Sequence, residues 1–240
     1  MAVAVRPRSR VRGGAPPPNR AATLAPAGRR RGPRRRSRAD IGTNAAIFQA
    51  AAAAFSARGF DGIGVDEIAA SARVNKAMIY YHFADKLELY REIVRDMLRA
   101  TSTRVTEIAA APDPAPVRLD RFIAAFVEMG DSRPWFPTLM LREMAEGGPR
   151  LDSETLAIMR SVFLAFARIL GDGHSAGDFR LVNPVLAYMS TVGPLLLNAA
   201  RERAARQPGR SQLPMFVEVS HTDLTSHMQS AARRTLQVTP

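Results

Sequence analysis

The chain has 240 residues and no cysteine. That length can bury a real core as one large or two small domains, and the missing thiols exclude a disulfide scaffold, a zinc-thiolate site and a thiol nucleophile while fitting a reducing compartment. The net charge of +12 belongs to one end: residues 1–39 hold twelve arginines and no acid, leaving 22 basic against 22 acidic residues in a neutral body over 40–240.

Residues 1–39 (RPRSRVRGGAPPPNR…GRRRGPRRRSR) are rich in Arg, Pro and Gly and are expected to form a disordered tail. Such an arm binds any polyanion through counterion release and adds affinity without sequence information. The same composition fits a solvated terminus, a start codon placed too far upstream, or a transit peptide whose prolines spoil an amphipathic helix.

From Asp40 the pattern becomes helical. In TNAAIFQAAAAAFSARGF, Ile47, Ala50, Ala51, Ala54 and Phe55 recur at three- and four-residue spacing, with Thr43 as the expected N-cap and Gly59 as the stop. After FDGIG comes VDEIAASA, where Val65, Ile68, Ala69 and Ala72 share a face and Asp66 and Glu67 suit the positive end of the helix dipole. Only Arg73, Val74 and Asn75 separate it from KAMIYYHF. Two short helices joined that tightly must cross steeply, as in a helix-turn-helix.

Beyond Asp85 the pattern KLELYREIVRDMLRATSTRVTEIAA predicts a long helix, ended by PDPAP at 112–116. Further helices are expected near 117–130, 135–146, 152–170, 184–206 and 213–236, separated by EGGPR, GDGHSAGD and RQPGR. No strand alternation or internal repeat is apparent. The expected class is all-α: a helix-turn-helix domain over 40–85, a helical domain over 86–236 and a short C-terminal end, 237–240.

Residues 74–86, VNKAMIYYHFADK, hold Lys76 and Lys86, the only lysines of the chain. With Asn75 as N-cap, winding at about 100° per residue turns Ile79 and Phe83 toward the core and Ala77, Met78 and Tyr81 to the opposite arc. The major groove of DNA admits such a helix: a small residue permits close approach, and Tyr or Met can touch base edges or a thymine methyl. Tyr80 and His82 on the flanks can donate to phosphates, and Lys86 opens the next helix, where ammonium and helix N-terminus both favour a phosphate. The other reading of IYYHF is an aromatic core strip; the tight spacing, the two lysines and the cap favour the groove.

The block from Ile47 to Tyr90 resembles the DNA-binding head of the TetR/AcrR family of transcriptional regulators. The resemblance rests on A-x-x-x-F-x-x-x-G-F at Ala51–Phe60, V-x-x-I-A at Val65–Ala69, V-[SN]-K at Val74–Lys76 and Y-[YH]-[HY]-F followed by Lys86. It implies an Ω-shaped, all-helical homodimer that binds a palindromic operator in double-stranded DNA, with a divergent C-terminal part binding a small-molecule effector. Recognition contacts then fall on Lys76, Ala77, Met78, Tyr80, Tyr81 and His82, and a phosphate contact on Lys86; Arg73 and Asn75 complete the candidate DNA-binding set. Two positions depart from the family pattern. Gly64 lacks the hydroxyl common at that position, and Arg73 replaces a turn glycine, which strains its backbone if φ is positive but offers a new phosphate contact.

Beyond residue 100 the expectations rest on pattern. Large apolar residues at helical spacing mark Phe122, Phe126, Met129, Trp135, Met140, Met144, Phe163, Phe166 and Tyr188 as candidate pocket residues, with Trp135 foremost; each also fits ordinary core. Gly193-Pro194 should kink or break its helix, or mark a boundary between two. Leu224, Met228, Ala231 and Leu236 share one face of the last helix, capped by Thr222, and with Leu196 are expected at a dimer interface.

Catalysis finds little support. The four histidines are scattered and His221 and His227 lack metal-pair spacing. GFDGIG follows a helix instead of a strand, GDGHSAGD resembles a calcium loop only loosely, and no nucleophile elbow or P-loop is present. The expectation is a cytoplasmic, nucleoid-associated regulator that is not an enzyme and needs no metal or cofactor, with no membrane partner. In the proposed scheme a ligand among helices 5–8 shifts helix 4 and releases the operator. An architectural DNA binder using the tail is the alternative, distinguished by losing its affinity when residues 1–39 are removed.

Overall fold

The computed structural model describes residues 38–206 and 217–237, with side chains from Gly42 onward. The tail expected over 1–39 lies outside the described residues apart from Arg38 and Ala39, as does the end at 237–240 apart from Gln237. Among the described residues all regular structure is helical, with one isolated bridge between Phe179 and Gln237.

Helix α1 (Arg38–Arg58) starts earlier than the sequence suggests, so Thr43 is an interior residue and not the cap. Nothing in RADIG forbids a further turn, since a single Gly costs only about 1 kcal/mol. Ile47, Ala51 and Phe55, one turn apart, are fully buried, and Gly59 ends the helix at φ +79°.

Helix α2 (Val65–Ala72) opens on Gly64, whose N–H donates to the Glu67 carboxylate at 3.0 Å. It is closed by Arg73 at φ 56°, the one non-glycine in the left-handed region among the described residues. There the Arg73 and Val74 N–H groups bond the Ala70 and Ala69 carbonyls at 3.1 and 3.0 Å, a left-handed C-cap without its usual glycine.

Helix α3 (Lys76–His82) is capped by Asn75, which accepts from Ala77 N at 2.8 Å; α4 (Lys86–Ala110) is capped by Asp85, which accepts from Glu88 N at 2.7 Å. These four helices bury Phe55, Ile63, Ile68, Ile79, Phe83 and Leu89 in a core that runs on into the rest of the chain.

The larger part comprises α5 (Ala115–Ser132), α6 (Phe136–Ala145), α7 (Ser153–Ser175), α8 (Pro184–Ala205) and α9 (His221–Leu236). Helix α4 lies along α7 and α5, and α6 meets α1, α4 and α8. Two turn signals were misleading. Helix α7 continues through Gly171 and Gly173 because Gly173 is buried against Phe179 and Ala115, where a methyl would come within 2.2 Å of the Phe179 ring. Helix α8 runs unbroken past Pro194. A proline resists helical geometry in the residue before it by clashing with that residue's Cβ, and Gly193 has none.

The last helix is capped by Ser220, which accepts from Asp223 N at 3.0 Å, and not by Thr222. Its start is later than expected, and residues 213–216 lie outside the described ones. Helix α9 packs on α5, with Met228, Ala232 and Leu236 buried in the chain's own core and Leu224 at its edge. The apolar face expected to meet a second copy is therefore largely used within the chain.

Candidate functional site

On α3, the sequence places two anchors and an outward surface. Ile79 is fully buried and Phe83 nearly so, while Tyr81 is 67% and Tyr80 49% exposed and Lys76 and Ala77 face solvent. An exposed tyrosine pair beside an alanine is a surface with large contact area and low rotamer cost. Met78, expected on that side, is only half-exposed and packs against the core.

The cations are held locally. Lys76 Nζ donates to Asp66 at 2.9 Å, and that bond raises the ammonium's pKa above its ordinary value. Lys86 Nζ sits 4.3 Å from the centroid of the Phe60 ring, a cation–π contact at the N-terminus of α4. His82 is half-buried, stands edge-on to Tyr81 at 5.1 Å, and its Nε2 has no hydrogen-bond partner among the described residues. It is thus turned inward, unlike the phosphate donor expected from the helical wheel. Arg73 is exposed beside the turn.

Some 490 Å³ of apolar cavity lies among α4, α5, α6, α7 and α8. Six of the nine candidate pocket residues line it: Phe126, Met129, Met140, Met144, Phe163 and Tyr188. Phe122 and Phe166 are instead fully buried core, their ring centroids 5.1 Å apart. Trp135 does not line this cavity; it packs edge-on to Phe48 at 6.4 Å and Phe136 at 6.2 Å. Leu98, Thr101, Phe136, Val162, Val192 and Leu196 were missed, because an apolar helical position reads the same whether it faces a neighbour or a void.

The cavity has few polar groups. Thr101 is engaged with the Met97 carbonyl at 3.0 Å, and Arg160 sits on the α7 wall. Burial pushes the Tyr188 hydroxyl up to about 12, so it is neutral at physiological pH and available as a donor. Such a lining suits a mostly apolar molecule with one polar end.

On α8, Leu186, Met189 and Leu197 are exposed at helical spacing with Gly193 between them. Of the residues expected at a dimer interface, Leu196 lines the apolar cavity and Ala231 a small crevice beside Met228. Among the described residues no helix is long and apolar enough to cross a membrane.

Helix α4 is tied to the start of α7 through buried charge. Arg95, 5% exposed, donates to Glu88 and Glu92 at 2.7 Å each and also to Asp152, the N-cap of α7. Burial works against both charged forms. It is outweighed: the acids hold Arg95 above its usual range, and Thr155 with Arg95 holds Asp152 well below the ordinary carboxylate range.

The sequence pattern of the family described as "Bacterial regulatory proteins, tetR family" matches residues 47–93. The HTH-type transcriptional regulator RutR of Escherichia coli O157:H7 is 28% identical over 151 residues, covering 62% of this chain and 70% of RutR. The HTH-type transcriptional repressor SCO4008 of Streptomyces coelicolor is 44% identical over 52 residues, 22% of this chain and 27% of that protein. Among solved structures, the ketosteroid transcriptional regulator KstR2 of Mycobacterium tuberculosis superposes with a TM-score of 0.67 at 19% identity, covering 82% of this chain and 95% of KstR2. The TetR family transcriptional regulator PfmR from Thermus thermophilus gives 0.64 at 22%, covering 80% and 99%. At such identities the superpositions establish a shared fold.

Proposed function

Because this chain belongs to the tetR family and is a DNA-binding transcriptional regulator, we propose that it is a homodimeric repressor of the cytoplasm that binds a palindromic operator and is released by a small apolar effector. The observation that carries this is the outward face of α3, with Tyr81 and Ala77 exposed opposite a fully buried Ile79. In this reading Tyr81 and Ala77 meet base edges, Tyr80 and Lys76 flank them at the backbone, and Lys86 adds a phosphate contact at the start of α4. Asn75 fixes the helix start, Arg73 reaches an adjacent phosphate, and Met78 and His82 shape the inner edge. Lys76 exchanges Asp66 for a phosphate on binding.

The second copy docks on the exposed α8 stripe of Leu186, Met189 and Leu197, which gives an isologous contact between like helices. The head over 40–85 and the domain over 86–236 are joined by α4. The effector occupies the apolar cavity, whose wall includes Leu98 and Thr101 of α4. It releases DNA by binding more tightly to the state in which the two α3 helices no longer match successive major grooves.

Selection of bound duplexes from random DNA with the full chain tests this reading. Enrichment of one palindrome with half-sites about one helical turn apart supports it; enrichment of no sequence contradicts it.

A further inference from the structure

A second crevice, of about 450 Å³, opens between α1, the end of α5, the end of α8 and the start of α9, and its walls are charged. Its carboxylates already have partners. His221 Nδ1 lies 2.8 Å from Asp131, and Asn198 donates to Glu202 at 2.8 Å. Its guanidiniums are less well matched: Arg206 is near enough to Asp131 to favour that carboxylate's charged form, yet among the described residues no carboxylate lies within 4.0 Å of Arg203 or Arg206, and Arg203 donates to the Ser56 hydroxyl of α1. Burial and the neighbouring Arg142 cation hold the Arg203 pKa below the usual arginine range, the mark of an uncompensated charge.

We propose that this crevice is a second binding site, distinct from the apolar cavity, for a small monocarboxylate whose far end carries an ammonium or N–H donor. The carboxylate neutralises Arg203 and Arg206, where guanidinium geometry favours two-pronged recognition. The donor end faces Asp131 and Glu202. The same two acids repel a second negative charge, so a phosphate, at roughly −1.5 to −2 near neutral pH, is disfavoured. The proposal holds whether or not the apolar cavity takes an effector.

Trp135, the single tryptophan, lines the crevice and reports its occupancy by fluorescence. The full chain is titrated with the ω-amino acids from β-alanine to 6-aminohexanoate, with butyrate, butylammonium and inorganic phosphate as controls. The expected result is a saturable change for one chain length, at concentrations at least about tenfold lower than for any control. Arg203→Met and Arg206→Gln should each weaken it about tenfold or more. Arg206 is exposed, so Arg206→Gln keeps the fold and a normal melting curve. Arg160→Ala, on the wall of the other cavity, should leave the titration unchanged. Absence of saturation by every ω-amino acid below about 10 mM, binding by both arginine variants as tight as that of the wild type, or tighter binding of phosphate would overturn the proposal.

Discussion

The Tyr90 hydroxyl, on α4, donates to the buried carboxylate of Glu143, on α6, at 2.8 Å. Glu143 also accepts from Arg150 at 2.9 Å, and Arg150 reaches Asp61 of the head at 2.8 Å while its guanidinium covers the Phe60 ring. Tyr90 meets Phe55 and Phe60 edge-on at 5.2 and 5.4 Å. One buried acid thus ties the start of α4 to α6, and through Arg150 to the turn that follows α1.

Removing that acid should be costly, because the Tyr90 hydroxyl loses its partner and Arg150 keeps only the more exposed carboxylates of Asp61 and Glu146. Glu143→Ala and Tyr90→Phe are each expected to destabilise by about 1–3 kcal/mol, read as shifts in denaturant midpoint. Equal, near-zero shifts for both would show that the network carries no stability.

Left-handed backbone at Arg73 costs an L-residue about 1–2 kcal/mol that glycine avoids. Arg73→Gly should therefore raise the melting temperature. If Arg73 also contacts a phosphate, the same change lowers the salt slope of DNA binding by about one unit. A stabler protein with an unchanged slope would leave the turn argument standing and remove the phosphate contact.

Asp152 is held below the ordinary carboxylate range in the fold, so its contribution is fully present above that range and is lost as pH falls through and below it. Wild-type stability should decline steeply below about pH 4. Asp152→Asn should cost about 1–3 kcal/mol at neutral pH and flatten the acid limb of the curve. An acid limb identical to wild type would contradict this role for the pair with Arg95.

Two glycines of α7 separate packing from propensity. A Cβ on Gly173 would strike Phe179 at 2.2 Å and Ala115 at 2.9 Å, whereas one on Gly171 meets nothing within 4 Å. Gly173→Ala should destabilise by about 1–3 kcal/mol and Gly171→Ala should stabilise by about 0.5–1 kcal/mol. Melting curves of the two variants give the answer, and shifts of the same sign would refute it.

These glycines also show where the sequence stopped being readable. The bounds of α2, α3 and α4 follow from apolar spacing and the local cap at Asn75, and the structure has them there, with Asp85 as a further cap that the spacing did not name. GDGHSAGD looked like a turn because glycine usually marks one, yet Gly173 serves a tertiary contact with Phe179 that no local pattern encodes. Helix α9 was legible as amphipathic, but amphipathicity does not say which surface covers the apolar face; Met228 and Leu236 meet their own chain. Trp135 lines the charged crevice and not the apolar cavity for a related reason. Its size and flanking prolines are local features, and the cavity wall is drawn by Leu98, Thr101 and Phe136, which arrive from two different helices.

Tyr81 is the most exposed aromatic of α3, so operator affinity of Tyr81→Ala against wild type tests the central claim most directly. With the fold confirmed by an unchanged melting curve, the variant should bind the selected operator about tenfold or more weakly, in line with about 1–3 kcal/mol per base-edge contact, while binding unrelated DNA as wild type does. Equal operator affinity for the two proteins would contradict the assignment of this face to DNA.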